Sequence, residues 1–444
     1  MNNKQKQNII GIRREDKNIW ERRVPLIPSH SRELIQERGV RIIIQPSRTR
    51  VFEDEDYRRE GVSVKEDLSP CKVILAVKEI PVELIMKGRV YVFFSHTTKG
   101  QSQNMPMLKT LRDRGCTLIE YEKITDDKGR RLLFFGIQAG QAGMVEVLHS
   151  LGQKWKVEGI DTPLFRIDQP FKYQSLVEIK EKIKKIGWEI YNSGLDPGLK
   201  PVIIGFAGYG RTSTGAQELF DLLPHKVIQP SELPAFMESG DFASHRLYKV
   251  VFKEEDMVRP KSPEDSFSLS DYYQNPEKYV SQFDRYLPHL TALVNCIYWE
   301  PRYPRFITRE SLKKLFRGEP SPRLKVIGDI SCDIGGSVEC NFYSTTPDEP
   351  FYIYDPIEQR KTNDIRRKGI ALMTIDNLPA EIPLESSAFF SQALKPFIPS
   401  LAGGDFSKPF EEIELPGPLR RATVLYQGDF TPDYRYLKKF LQSG

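Results

Sequence analysis

Five short apolar runs, spaced so that helices fit between them, constrain this chain more than any other feature. They read NIIGIR from residue 8, VRIIIQP from 40, CKVILAVK from 71, VYVFFSH from 90 and CTLIEYE from 116. Between them lie helix-like segments such as PSHSRELIQERG, which stops at Gly39, and MPMLKTLRDRG. Strands alternating with helices at this spacing imply βαβ units and a mostly parallel sheet. A further strand is expected in RRLLFF, running into a long helix over GIQAGQAGMVEVLHSLGQKW that leaves the first domain.

A second constraint follows at PVIIGFAGYGRTSTGAQELF, which reads as strand, glycine turn and helix. That order offers the N–H groups of a helix N-terminus to a pyrophosphate. The G-x-G-x-x-G pattern is incomplete. Gly208 and Gly210 are present, Ser213 holds the third position, and Gly215 comes two residues later. Gly208, Gly210, Arg211, Thr212 and Gly215 are the candidate cofactor-loop residues. HKVIQP is expected as the second strand of the same unit, ending at Gln229 where an NAD enzyme usually carries an acid against the ribose hydroxyls. A missing acid, with Arg211 available to a ribose phosphate, points to NADP rather than NAD. Arg211 can equally contact only the pyrophosphate. Residues 254–288 are polar and aromatic with little periodicity, and are expected to be an insertion with short helices over a cleft.

With 444 residues the chain exceeds one ordinary core, so two domains are expected. Net charge is only +5, from 65 basic and 60 acidic residues, and no basic stripe stands out, which disfavours nucleic acid as partner. A mild positive balance suits anionic substrates. The apolar runs are too short to span a bilayer and no signal-peptide core is visible, so a membrane role is not expected. Five cysteines without a C-x-x-C pair indicate thiols in a reducing cytoplasm, with no disulfide framework and no zinc site.

Lys78 and His96 fall at the C-terminal ends of strands, where ligands gather in α/β sheets and where a Lys and a His with shifted pKa values can move protons near neutral pH. Each is also an ordinary surface residue type. Arg23, just before an apolar turn, can hold a carboxylate through two parallel hydrogen bonds or simply be solvated. In GDISCDIGGSVE, Asp329 and Ser331, with Asp333, can meet a nicotinamide amide or a substrate amine; one acidic cluster does not argue for metal. Neither a P-loop GK[ST], a G-x-S-x-G elbow nor H-E-x-x-H is present.

Nine segments occur in an order that resembles one family: GIRREDKNIWERRVPLIPSH, AVKEIP, VFFSHTTKGQ, LIEYEKITDDKGRRLLFFG, QAGQAGM, GYGRTSTGAQELF, CIYWE, GDISCDIGGSVE and IDNLPAEIPLESSAFF. Together they are similar to the lysine–ketoglutarate reductase (saccharopine-forming) module of the bifunctional aminoadipic semialdehyde synthases. More distantly they resemble fungal saccharopine dehydrogenase, alanine dehydrogenase and the N-terminal part of transhydrogenase. The resemblance implies an α/β fold of two Rossmann-like domains with mostly parallel sheets and an active-site cleft between them. It puts residues 1–140 plus 340–444 in a substrate domain and 141–339 in an NAD(P)-binding domain. By the same resemblance Lys78 and His96 are the acid–base pair, and Arg23 holds a substrate carboxylate. Glu79 and Glu122 tune the charge of the pair, Lys99 and Arg131 help bind carboxylates, and Asp329 and Ser331 lie beside the nicotinamide. The fungal dehydrogenases carry Gly where Ser213 stands. The implied reaction joins L-lysine and 2-oxoglutarate with NADPH to give saccharopine, in lysine degradation. A separate saccharopine dehydrogenase is expected for the next step, and a homo-oligomer is compatible. The alternatives are a lysine-forming NAD saccharopine dehydrogenase, a related amino acid dehydrogenase, and a sensor that binds nucleotide or amino acid without catalysis.

Overall fold

The computed structural model of the chain describes residues 8–319 and 321–441. It divides the chain into two compact units, one of residues 1–135 and 383–444 and the other of 136–382. Both are α/β, each built on an eight-stranded sheet that is mostly parallel.

In the first unit the apolar runs become β1 (Ile9–Ile12), β2 (Arg41–Ile44), β4 (Val73–Leu75), β5 (Val90–Phe93) and β6 (Thr117–Glu120), with a short β3 (Ser63–Val64) at the edge. They pair in parallel in the order β6-β5-β4-β1-β2-β3. Helix α1 (Pro28–Arg38) starts on Pro28, whose missing N–H costs nothing at that position, and ends where Gly39 takes the left-handed conformation at φ 62°. A short helix α2 (Asp54–Arg59) precedes β3, and α3 (Met105–Asp113) buries Met105, Met107, Leu108 and Leu111. The strand expected in RRLLFF does not form. Only a bridge between Thr125 and Arg131 occurs there, and helix begins at Gly136.

The second unit opens with α4 (Gly136–Val157) and the amphipathic α5 (Leu176–Ser193), which the Ser175 hydroxyl caps by accepting from the Glu178 N–H. Next come β7 (Ile203–Ala207), α6 (Arg211–Phe220), β8 (His225–Val227) and β9 (Leu247–Phe252). An antiparallel pair, β10 (Val258–Pro260) and β11 (Tyr279–Ser281), forms within the irregular stretch after β9. The sheet continues through β12 (Ala292–Asn295), β13 (Val326–Asp329), β14 (Phe351–Asp355), β15 (Arg360–Thr362) and β16 (Ile370–Met373). Its order is β15-β14-β16-β13-β12-β7-β9-β8. Alternation along β7 puts Ile204 and Phe206 in a core with α4, α5 and α6, and Ile203 and Ala207 in a second core with Tyr272, Phe283 and Tyr286 of the irregular stretch.

Two differences from the sequence reading concern this unit. Residues 340–382 belong here and not to the first unit, because β16 pairs with β13 along Val326–Gly328. LYKVVF forms β9 and inserts between β7 and β8, so the strand of HKVIQP is the sheet edge rather than the neighbour of the glycine-loop strand. After Ile382 the chain returns to the first unit. There β17 (Thr423–Tyr426) joins β6 antiparallel and β18 (Asp429–Phe430) completes the sheet. Among the described residues no helix is long and apolar enough to cross a membrane.

Candidate active site

In the first unit β4 and β5 run side by side in parallel, with Leu75 opposite Val92. Beyond their C-terminal ends the chain delivers Lys78 and His96. Each position is fixed by a buried or half-buried carboxylate from a neighbouring strand. Glu15, three residues past β1, accepts the Val77 N–H at 2.7 Å on one oxygen and the Lys78 N–H at 2.9 Å on the other. Glu120, the fully buried last residue of β6, accepts the Ser95 N–H at 2.8 Å and the Ser95 hydroxyl on one oxygen, and the Glu122 N–H at 3.0 Å on the other. Burial pushes the Glu15 carboxyl up to about 7, with Glu21 adding and Arg13 and the two N–H bonds opposing. Burial also raises Glu120, against its bonds to Ser95 and Glu122.

The side chains beyond these clamps form a charge network. Burial lowers the Lys78 ammonium from its ordinary value; Arg23 and Lys17 push it further down, while Glu79 and Glu21 resist. His96 Nδ1 lies 2.6 Å from Glu79 Oε1, and Lys17 Nζ lies 3.2 Å from Glu79 Oε2. Burial works against the Glu79 charge, yet the His96 bond and the cations Lys17 and Lys78 hold its carboxyl down at about 2. An ionised carboxylate at Nδ1 selects the tautomer with its proton there and leaves Nε2 as the acceptor nitrogen. His96 sits at φ 47°, a conformation that costs a non-glycine residue energy, and is held by the Asn104 amide on its carbonyl (3.1 Å) and by the stacked ring of Phe94.

The other expected substrate residues are placed unequally. Arg23 is buried and gives Nε (2.8 Å) and Nη2 (2.6 Å) to the carboxylate of Glu21, with its guanidinium 4.4 Å from the Phe135 ring centre. The two-pronged edge expected to hold substrate is therefore taken by Glu21. Glu122 pairs with Arg131 at 3.3 Å. Lys99 is exposed, three residues past His96.

In the second unit the glycine loop follows β7. Gly208 has φ 91°, and its N–H reaches the Phe252 carbonyl at the end of β9 (2.9 Å). Gly210 begins α6 with no side-chain cap and with open space where a Cβ would stand. An uncapped helix start beside glycine suits a pyrophosphate. Gly215 serves helix packing: a Cβ there would fall 2.1 Å from the Ile137 carbonyl oxygen of α4, and one on Gly140 would fall 1.9 Å from that of Thr212. The Arg211 Cβ and the Thr212 Oγ1 lie 3.6 and 3.4 Å from where a Cβ on Gly136 would stand. A cavity of about 480 Å³ opens beside the loop, lined by Gly208, Tyr209, Gly210, Glu254, Tyr273 and Trp299 among others. Glycine loop, helix start and cavity together fit a pyridine dinucleotide.

Three more residues expected at the cofactor are placed away from the glycine turn itself. Gln229 is exposed at the sheet edge, two strands and roughly 10 Å from β7. Asp329 is fully buried and accepts from Asn295 (2.7 Å), Ser331 (2.7 Å) and Asn341 (2.9 Å), so with Ser331 it ties together the ends of β12 and β13. The sequence reading passed over Glu15, Lys17, Glu21, Glu120 and Glu254. Only Glu15 and Glu254 had a signal available, as acids a few residues past a strand end.

Comparison with known proteins follows this geometry. Residues 11–142 match the model of the alanine dehydrogenase/PNT N-terminal domain, and 300–433 that of the C-terminal domain. An alpha-aminoadipic semialdehyde synthase of Arabidopsis thaliana is 38% identical over 98% of this chain, and the mitochondrial one of Rattus norvegicus 34% over 98%. The chain spans less than half of each, 42% and 48%. A saccharopine dehydrogenase [NAD(+), L-lysine-forming] of Emericella nidulans is 25% identical over 92% of this chain and 96% of its own length. Among solved structures, an L-alanine dehydrogenase superposes with TM-score 0.61 at 18% identity, covering 98% of this chain and 99% of that one. A transhydrogenase from Sinorhizobium meliloti gives 0.53 at 13%, covering 96% and 99%.

Proposed function

This chain belongs to the alanine dehydrogenase/PNT family, and from that premise we propose that it is an oxidoreductase acting on a CH–NH bond: a lysine–2-oxoglutarate reductase that forms saccharopine. One observation carries the proposal. Lys78 and His96 stand at the ends of adjacent parallel strands, with Glu79 on His96 Nδ1. A binding module has no use for a half-buried lysine lowered towards its neutral form beside a carboxylate-oriented histidine.

The ε-amine of lysine attacks the ketone carbon of 2-oxoglutarate as a free base, and the carbinolamine then loses water. The proton leaving the amine and the proton given to the departing hydroxyl both need a positioned carrier. His96 supplies one through Nε2, its ring oriented by Glu79, as in other carboxylate–histidine pairs. Lys78, lowered by burial and by Arg23, supplies the other. Lys99 and Arg131 are cations for the substrate carboxylates. Arg23 acts chiefly by its charge on Lys78, since Glu21 takes its fork. Gly208 and Gly210 with the start of α6 hold the pyridine nucleotide, which when bound supplies the hydride that reduces the imine carbon.

The same chemistry run backwards is the activity in the name of the Emericella nidulans relative, so both directions are to be assayed. Oxidation of NADH and of NADPH is followed with L-lysine plus 2-oxoglutarate, and reduction of the oxidised forms with saccharopine. Turnover dependent on both lysine and 2-oxoglutarate supports the proposal. Nucleotide binding without turnover in either direction favours a sensor. The NADPH preference expected from Gln229 loses its footing at the sheet edge, and the choice of nucleotide passes to other residues.

A further inference from the structure

We propose that the C-terminal segment of the chain positions the loop that carries His96 and Lys99, with Tyr436 and Phe440 as the positioning residues. The inference rests on His96 and Lys99 serving the proposed reaction. All the groups involved belong to the first unit. His96 holds a left-handed backbone at φ 47°, and such a residue keeps that conformation only when the chain on both sides is fixed. On its N-terminal side Glu120 fixes Ser95, whose hydroxyl lies 2.8 Å from that of Thr97. Past His96 the chain turns over residues 97–100, with the Gly100 N–H on the Thr97 carbonyl at 2.9 Å. Lys99 is exposed on that turn.

The hold on the turn comes from the other end of the chain, a 3₁₀ segment over Pro432–Leu437 followed by a helical turn over Lys438–Leu441. Tyr436 donates its hydroxyl to the Thr98 carbonyl at 2.5 Å, across 338 residues of sequence. Phe440 closes on Gly100. There φ is 73°, and a Cβ would fall 2.6 Å from the ring carbons Cε1 and Cζ. The segment is itself anchored. With three residues per turn, Tyr434 and Leu437 share one face. Both are buried, and Tyr434 donates to the Arg421 carbonyl at 2.8 Å. A segment that only covered the core would need neither a hydroxyl on Thr98 nor a glycine under Phe440.

Tyr436→Phe removes a single oxygen from an exposed ring, and Phe440→Ala removes the ring over Gly100; both are made in the full chain. Steady-state kinetics with L-lysine and 2-oxoglutarate are measured beside backbone hydrogen exchange of the loop, nucleotide affinity and unfolding temperature. In each variant kcat is expected to fall about tenfold, and KM for 2-oxoglutarate to rise through Lys99. Exchange quickens over residues 97–101 and not in β5 or β6, while nucleotide affinity and unfolding temperature stay as they were. Phe440→Leu, which keeps most of the volume, restores kcat to within about threefold. An unchanged kcat in both variants, or a loss of kcat that comes only with a lower unfolding temperature, overturns the inference. If the unaltered chain does not turn over lysine and 2-oxoglutarate, the proposed function fails and exchange alone decides the hold on the loop. Faster exchange confined to residues 97–101 then supports it, and unchanged exchange overturns it.

Discussion

The two sheets of this molecule prepare their strand ends by opposite means. In the first unit the ends of β4 and β5 are fixed by added groups: Glu15 grips the backbone at Lys78 and Glu120 grips it just before His96. In the second unit the end of β7 is prepared by removed groups. Gly208 and Gly210 clear the loop, and Gly140 and Gly215 let α4 and α6 approach until a single Cβ would strike a backbone carbonyl. Under the proposed function the contrast follows from what each end has to do. Proton transfer needs side chains held in one orientation and with displaced pKa values. A dinucleotide needs backbone N–H groups and room, which side chains would fill.

If this division holds, damage to one end leaves the other's task untouched. The largest effect is expected in the first unit: Lys78→Met and His96→Ala each lower kcat/KM about 10²- to 10⁴-fold, with NADH affinity unchanged. A loss below tenfold in both would sink the assignment. Next comes Gly140→Val, expected to cost about 3 kcal/mol or more by forcing α4 from α6, read as a fall in unfolding temperature together with lost nucleotide binding. Weaker binding without a lower unfolding temperature would contradict the packing role.

Glu15→Gln keeps the shape of the clamp but only one acceptor oxygen. A fall of about tenfold in kcat with little change in KM is expected, as for a misaligned acid–base group. The two carboxylates also give opposite pH signatures. Glu15, raised to about 7 from 4.5, binds more protons folded than unfolded, so its share of stability is full at low pH and is lost as pH rises from about 4.5 through 7. Glu79, lowered to about 2, contributes above 4.5 and loses that share as pH falls towards 2. The smallest effect is thus a change in slope: unfolding midpoints against pH flatten above 4.5 in Glu15→Gln and below 4.5 in Glu79→Gln. Identical slopes in wild type and both variants would show that neither carboxylate titrates as described.

What was legible in the sequence was local. Short apolar runs gave five strands of the first sheet and the glycine-loop strand of the second, Gly39 gave the end of α1, and the glycine turn gave the loop. The order of nine motifs then brought Lys78, Glu79 and His96 into view. Two strands went otherwise for identifiable reasons. RRLLFF has the right composition for a strand but finds no partner in the sheet, and LYKVVF, interrupted by Lys249, has its pattern completed only by β7 and β8 on either side.

The rest was decided in three dimensions. Glu21 and Glu120 look in the sequence like any surface acids. They became structural because the sheet buries them where N–H groups and an arginine await them, and burial is a property of the whole packing. Gln229 and Glu254 changed places relative to the glycine loop for a similar reason. A strand carries its own hydrophobic period, but its place in the sheet depends on which neighbour pairs with it. That choice of β9 over β8 put a carboxylate, and not an amide, beside the glycine loop.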